Sequence, residues 1–255
     1  MSPPVLSLRG VVKGYGAARA LDGVDLDLHR HEVLAVIGDS GAGKSTLVGV
    51  ISGNQRPDAG EVIVDGKPVT LASPAVARAH GVASVFQDLA LAPNLDVVEN
   101  LFLGAELTRG RLLDEVAMER QAWELLGQLA VRVPSVRVPV GALSGAQRQG
   151  VAIARSLLGD PKVIVLDEPT SSLGIRQTAE FLTLVERLRE RGHGVVVTSH
   201  SLVDVHAVAD RIVVLRLGRV NGQFDAALAT QEELLAAVTG VDSPGSGGGR
   251  WGGSR

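Results

Sequence analysis

No cysteine occurs in the 255 residues, which excludes a disulfide framework and thiolate catalysis while leaving the compartment open. Nor does any uninterrupted apolar run approach the roughly 18 residues that a membrane span needs. The start, Met1-Ser2-Pro3-Pro4-Val5-Leu6-Ser7-Leu8-Arg9, lacks the apolar block of a signal peptide. The expectation is a cytoplasmic protein whose membrane role, if it has one, comes through a partner. Positive charge is not in surplus either: a formal net charge of −3 argues against nucleic acid as a partner. What the chain does have is 45% hydrophobic content, ample for a buried core.

Short runs rich in β-branched residues recur at Val33-Leu34-Ala35-Val36-Ile37, Val82-Ala83-Ser84-Val85-Phe86, Val163-Ile164-Val165-Leu166, Val195-Val196-Val197-Thr198 and Ile212-Val213-Val214-Leu215. They read as strands buried on both faces. Helical patterns lie between several of them. In residues 177–191, Phe181, Leu182, Leu184, Val185 and Leu188 make one apolar face. Such alternation means a largely parallel α/β sheet. Two stretches depart from it. Residues 5–32 and 60–70 alternate polar with apolar and carry an Asp65-Gly66 turn signal, predicting a small antiparallel sheet. Residues 91–157 look mostly helical, 114–129 for example, predicting an inserted helical subdomain. A single domain over residues 5–240 is expected, with a disordered Ser/Gly/Pro-rich tail over 241–255.

The chemistry begins at Gly38-Asp39-Ser40-Gly41-Ala42-Gly43-Lys44-Ser45-Thr46. This Gly-x4-Gly-Lys-Ser pattern follows a predicted strand and opens a helix over 45–52 that Gly53 ends. Backbone N–H groups of a glycine-rich turn and a helix N-terminus together make a concave anion site that bulky side chains would block. Lys44 adds a point charge for β- and γ-phosphates, and the Ser45 hydroxyl is a Mg²⁺ ligand. Farther on, the strand 163–166 ends in Asp167-Glu168, where parallel sheets place ligands. Because side chains alternate along a strand, the two acids have different tasks. Asp167 suits Mg²⁺ and Glu168 suits accepting a proton from attacking water. A strand can also end in two solvated acids, so the loop gives the pair its meaning.

With those motifs in place, the segment Leu143-Ser144-Gly145-Ala146-Gln147-Arg148-Gln149 resembles the Leu-Ser-Gly-Gly-Gln signature of the ATP-binding-cassette ATPases. The residues alone make Ser144 an N-cap for a helix reaching Leu158. The resemblance implies a P-loop nucleotidase core of RecA type, with ATP and Mg²⁺ as cofactors. It also implies that Ser144, Gly145, Ala146 and Gln147 contact the γ-phosphate of ATP held by an opposing subunit. Three further positions match the family in order: Tyr15, the only tyrosine, for stacking on adenine; Gln87 for reaching Mg²⁺ and the attacking water; and His200 for contacting the γ-phosphate.

Two positions depart from the family pattern. Ala146 stands at the second signature glycine, and Ser171-Ser172-Leu173-Gly174 stands where Ser-Ala-Leu-Asp is usual, so the acid that bridges the dimer is missing. Because Glu168 and His200 are kept, hydrolysis is still expected. Residues 86–104, with Arg56-Pro57-Asp58-Ala59-Gly60, resemble the importers of ribose, xylose and fructose. That resemblance implies a monosaccharide importer on the inner face of the cell membrane. Its partners would be a membrane permease, an extracytoplasmic sugar-binding protein, and either a second copy or another ATPase chain. The stretch 87–104 would receive a cytoplasmic helix of the permease. An exporter ATPase and a non-transport cassette acting in DNA repair or translation are the alternatives.

Overall fold

The computed structural model describes residues 3–241. The chain opens with the hairpin β1 (Leu6–Tyr15) and β2 (Ala18–Leu28), then enters the central strand β3 (Val33–Ile37) and helix α1 (Lys44–Ile51). β4 (Ala59–Val64) and β5 (Lys67–Val69) return to β1, giving an antiparallel sheet of order β2-β1-β4-β5. After α2 (Pro74–Ala79) and β6 (Val82–Val85) come α3 (Val97–Phe102), the hairpin β7 (Thr108–Arg109) and β8 (Leu112–Leu113), α4 (Glu115–Gln128) and α5 (Gly145–Leu157). Then follow β9 (Val163–Leu166), α6 (Ile175–Glu190), β10 (Gly194–Thr198), α7 (Leu202–Val208), β11 (Arg211–Arg216), β12 (Arg219–Asp225) and α8 (Gln231–Thr239). The second sheet has the order β12-β11-β3-β10-β9-β6 and is parallel apart from β12.

The expected α/β core, antiparallel sheet and helical insertion are all present. Strand alternation explains how they pack. In β9, Val163 and Val165 face the antiparallel sheet and α1, while Ile164 and Leu166 face the helices. Both faces are apolar, as a parallel sheet covered on two sides requires. Each buried Val, Leu or Ile contributes about 1.5–3 kcal/mol relative to exposure. The helical part has its own interior, where Leu101, Phe102, Met118, Ala122, Leu126 and Ile153 meet. Asn100 is a buried polar residue there. Fully buried, it donates to the carbonyls of Ala92, Leu95 and Asp96 and accepts from the Ala92 N–H, so it staples the loop before α3.

Observed helix boundaries lie within a few residues of expectation, and Gly53 at φ 75° follows α1 as its terminator. Asp65 and Gly66 both have positive φ, which produces the tight β4–β5 turn. Several elements were not anticipated. β7 and β8 have two residues each, too few to carry a period. β12 is an edge strand with Arg219, Asn221, Gln223 and Asp225, so its polar face masks it, and α7 and α8 are short. The tail expectation falls on residues 242–255, outside the described residues. Among the described residues, no helix is long and apolar enough to cross a membrane.

His193, in the turn between α6 and β10, is buried, with Nδ1 2.7 Å from the Pro161 carbonyl, so Nδ1 carries the proton. Burial pulls its pKa below the ordinary value, and the bond to Pro161 opposes this only in part. The unfolded chain therefore takes up a proton near pH 6.5 while the folded chain resists. Stability is full above that pH and falls as pH drops through it toward the lower folded value. The urea midpoint should decline as the pH falls below about 7, with a shallower decline in His193→Gln.

Candidate functional site

The loop 38–46 joins β3 to α1 at the C-terminal edge of the parallel sheet, between the ends of β10 and β11. Two glycines are dictated by space. A Cβ on Gly38 would strike the Leu215 carbonyl, and one on Gly43 would strike the Ala20 carbonyl, where φ is 109° in any case. The turn after β11 clamps the loop from outside: the Gly218 N–H donates to Ala42 O at 3.0 Å, and the Asp22 N–H donates to Gly218 O at 2.8 Å. Among the described residues, no acceptor reaches the N–H groups of Gly43, Lys44 and Ser45. These amides face outward at a helix start, which is what an anion site needs.

Lys44 is 6% exposed. Its Nζ donates to Gly38 O at 2.8 Å and lies 3.3 Å from Asp39 O, so the ammonium folds back on its own loop. Burial pulls its pKa below the ordinary value, opposed by the nearby carboxylates of Glu168, Asp167 and Asp39. Glu168 Oε1 lies 3.9 Å from Nζ and 2.8 Å from His200 Nε2. His200 Nε2 is also 3.3 Å from Nζ. One ring nitrogen cannot donate to Glu168 and accept from Lys44 at once. The shorter contact decides: Nε2 carries the proton and donates to Glu168.

The two carboxylates take different partners. Asp167 Oδ1 accepts from the Thr198 hydroxyl at 2.7 Å, and the same hydroxyl accepts the Glu168 N–H at 2.9 Å. Thr198 thus fixes both acids from the end of β10 and is fully buried. Sequence reading missed it, because Thr198 meets the two acids only through the pairing of β9 with β10. Glu168 sits at φ 48°, a left-handed conformation for a residue with a Cβ. Its carbonyl accepts from Ser171 Oγ at 2.9 Å, and Gln87 Nε2 lies 3.4 Å from that Oγ. Gln87 therefore joins the site through Ser171.

The remaining expected residues lie apart. Tyr15 is half-exposed, hydrogen-bonds Gln55, and has Lys13 Nζ 5.8 Å from its ring centre. Ser144 caps α5: its Oγ accepts the Gln147 N–H at 3.3 Å while Gln147 Oε1 accepts the Ser144 N–H at 2.9 Å. Gln147 Nε2 donates to Arg132 O at 2.7 Å. Ser144, Ala146 and Gln147 line an open groove of about 630 Å³ with Arg132, Arg176 and Gln177. None of the loop residues borders that groove. Gly174 starts α6 with no side-chain cap. Asp39, Ser40, Gly41 and Thr46 complete the loop, where Asp39 accepts the Ser40 N–H.

Fold and loop together define a P-loop nucleotide-binding protein of the cassette kind. The chain belongs to the ABC transporter family, whose model matches residues 21–171. It is 43% identical to the fructose import ATP-binding protein FrcA of Rhizobium meliloti, over 94% of this chain and 96% of that one. It is 41% identical to the xylose/arabinose import ATP-binding protein XylG of Sulfolobus acidocaldarius, over 92% and 94%. Against the ribose import ATP-binding protein RbsA 1 of Rubrobacter xylanophilus it is 43% identical over 93% of its length but spans only 47% of that relative. Among solved structures, the dimeric cassette MJ0796 bound to ADP and Pi superposes with a TM-score of 0.72 at 28% identity, over 87% of this chain and 98% of that one.

Thr198→Val removes the hydroxyl shared by the two acids and orphans the part-buried Glu168 N–H. The variant should lose about 1–3 kcal/mol of stability in urea denaturation and about tenfold in phosphate release.

Proposed function

We propose that this chain is the ATP-hydrolysing subunit of a monosaccharide importer, working in a head-to-tail pair of cassettes beneath a membrane permease that an extracytoplasmic sugar-binding protein supplies. The observation that carries the reading is the meeting of Lys44, Glu168 and His200 at one end of the parallel sheet, with the Ser144 groove elsewhere on the chain. The names and coverage of the fructose and xylose/arabinose relatives support sugar import. The dimeric structural relative supports pairing.

In this reading the free N–H groups of loop 38–46 take the phosphates, and Lys44 leaves Gly38 and Asp39 to meet them. Tyr15 stacks on adenine. The Ser45 hydroxyl, the Gln87 amide oxygen and the Asp167 carboxylate are all hard oxygen donors of the kind Mg²⁺ takes, and Asp167 keeps one oxygen outside its bond to Thr198. Mg²⁺ there would offset charge on the β- and γ-oxygens. Glu168 turns from His200 to accept the proton of the attacking water, and His200 moves to the γ-phosphate. A second cassette closes the site with its own Ser144 to Gln147 segment, where the N-terminus of α5 offers partial positive charge. Ala146 lines the groove without filling it, so its methyl group leaves that surface open.

Glu168→Gln should leave ATP affinity intact and lower phosphate release by about 10²–10⁴-fold; equal turnover would remove Glu168 from the role. Glu99, exposed on α3, holds the Asp96 N–H at 2.8 Å in a capping box. Glu99→Lys removes that acceptor and puts a positive charge on the surface proposed to receive the permease helix, whereas Glu99→Gln keeps an acceptor. Loss of permease-stimulated hydrolysis in the first variant alone is expected. Uptake of labelled ribose, xylose and fructose by a deletion strain then selects the sugar.

A further inference from the structure

The segment after Gln87 is built unusually tightly for a surface loop. Asn100 staples its 92–96 portion, and backbone bonds run from Val140 N–H to Leu95 O at 3.0 Å and from Gly141 N–H to Pro93 O at 2.9 Å. Those two donors lie just before Leu143 and Ser144. At 89–90 the hold comes from one side chain. Arg155, on the last turn of α5, donates through Nη2 to Leu89 O at 2.7 Å and through Nη1 to Ala90 O at 2.8 Å. Among the described residues Arg155 has no carboxylate partner, and Arg78 is the charge that bears on it. A half-buried cation given to two carbonyls rather than an acid is costly unless those carbonyls must be held. Ala90 itself is at φ 47°, and its N–H donates to Asp88 Oδ1 at 3.0 Å. On the other side of Asp88, Gln87 reaches Ser171 and through it the Glu168 carbonyl.

We propose that Arg155 is a positioning residue that clamps residues 89–90 to the signature helix, so that docking on 89–104 moves Ser144 as part of one rigid unit hinged at Asp88. The coupling half of this rests on the permease reading above; the clamp does not. Without Arg155 the segment gives locally, and a push on it is absorbed before reaching α5.

Amide exchange on the isolated chain tests the clamp directly. In Arg155→Ala, exchange at residues 88–92 should rise by about tenfold or more, with 136–147 still protected, and ATP affinity and thermal midpoint kept. In the assembled transporter, permease-stimulated hydrolysis should fall about tenfold while basal hydrolysis stands. Unchanged exchange overturns the proposal, as does a parallel loss of affinity, stability and both activities, which marks a merely structural residue. Should Arg155→Ala not fold, Arg155→Lys decides on the same readouts, because an ammonium cannot present the guanidinium fork to both carbonyls. Faster exchange with stimulation intact also overturns it. The docking reading survives that failure if Glu99→Lys still stops stimulation, and falls with it if not.

Discussion

Anion binding by backbone demands that nothing stand between the N–H groups and the phosphate, and at two points of loop 38–46 the surrounding protein enforces this. Leu215 O behind Gly38 and Ala20 O behind Gly43 leave no room for a Cβ. The turn at Gly218 and the strand β2 hold the loop between them through Ala42 and Asp22. Much of the rest follows from keeping that loop at the end of β3. The parallel neighbours β10 and β11 set its position, and β9, next to β10, brings Asp167 and Glu168 to the same edge.

What was legible in the sequence follows the same physics. The buried strands were readable because both faces of each are apolar, and the loop because its glycines cannot be exchanged. Asp167 and Glu168 were readable from their place at a strand end. Thr198 was harder to see, since one hydroxyl carries no periodicity and its meaning comes only from β9 and β10 lying side by side. The contact of His200 with Glu168 depends on the same pairing across 32 residues of chain. β7, β8 and β12 escaped because two-residue strands and a polar edge strand offer no pattern distinct from loop.

Helix α5 collects more duties than its length suggests. Its first turn carries the Ser144–Gln147 capping box, and its last turn carries Arg155. Between them, buried Gln149 donates to Pro169 O, immediately after Glu168, while among the described residues its own Oε1 has no partner. An unpaired buried acceptor costs about 1–3 kcal/mol. One helix thus touches the Ser144 groove, the residue following Glu168 and the segment following Gln87, so those three places cannot shift independently.

The left-handed backbone at Glu168 sets stability against chemistry at that residue. A Cβ in this conformation costs about 1–2 kcal/mol relative to glycine, and the turn held by Ser171 and Thr198 keeps it there. Glycine at 168 would relax the chain and delete the carboxylate in one stroke. A search for heat-tolerant variants scored only on folding would therefore drift toward losing the very side chain on which the proposed hydrolysis rests.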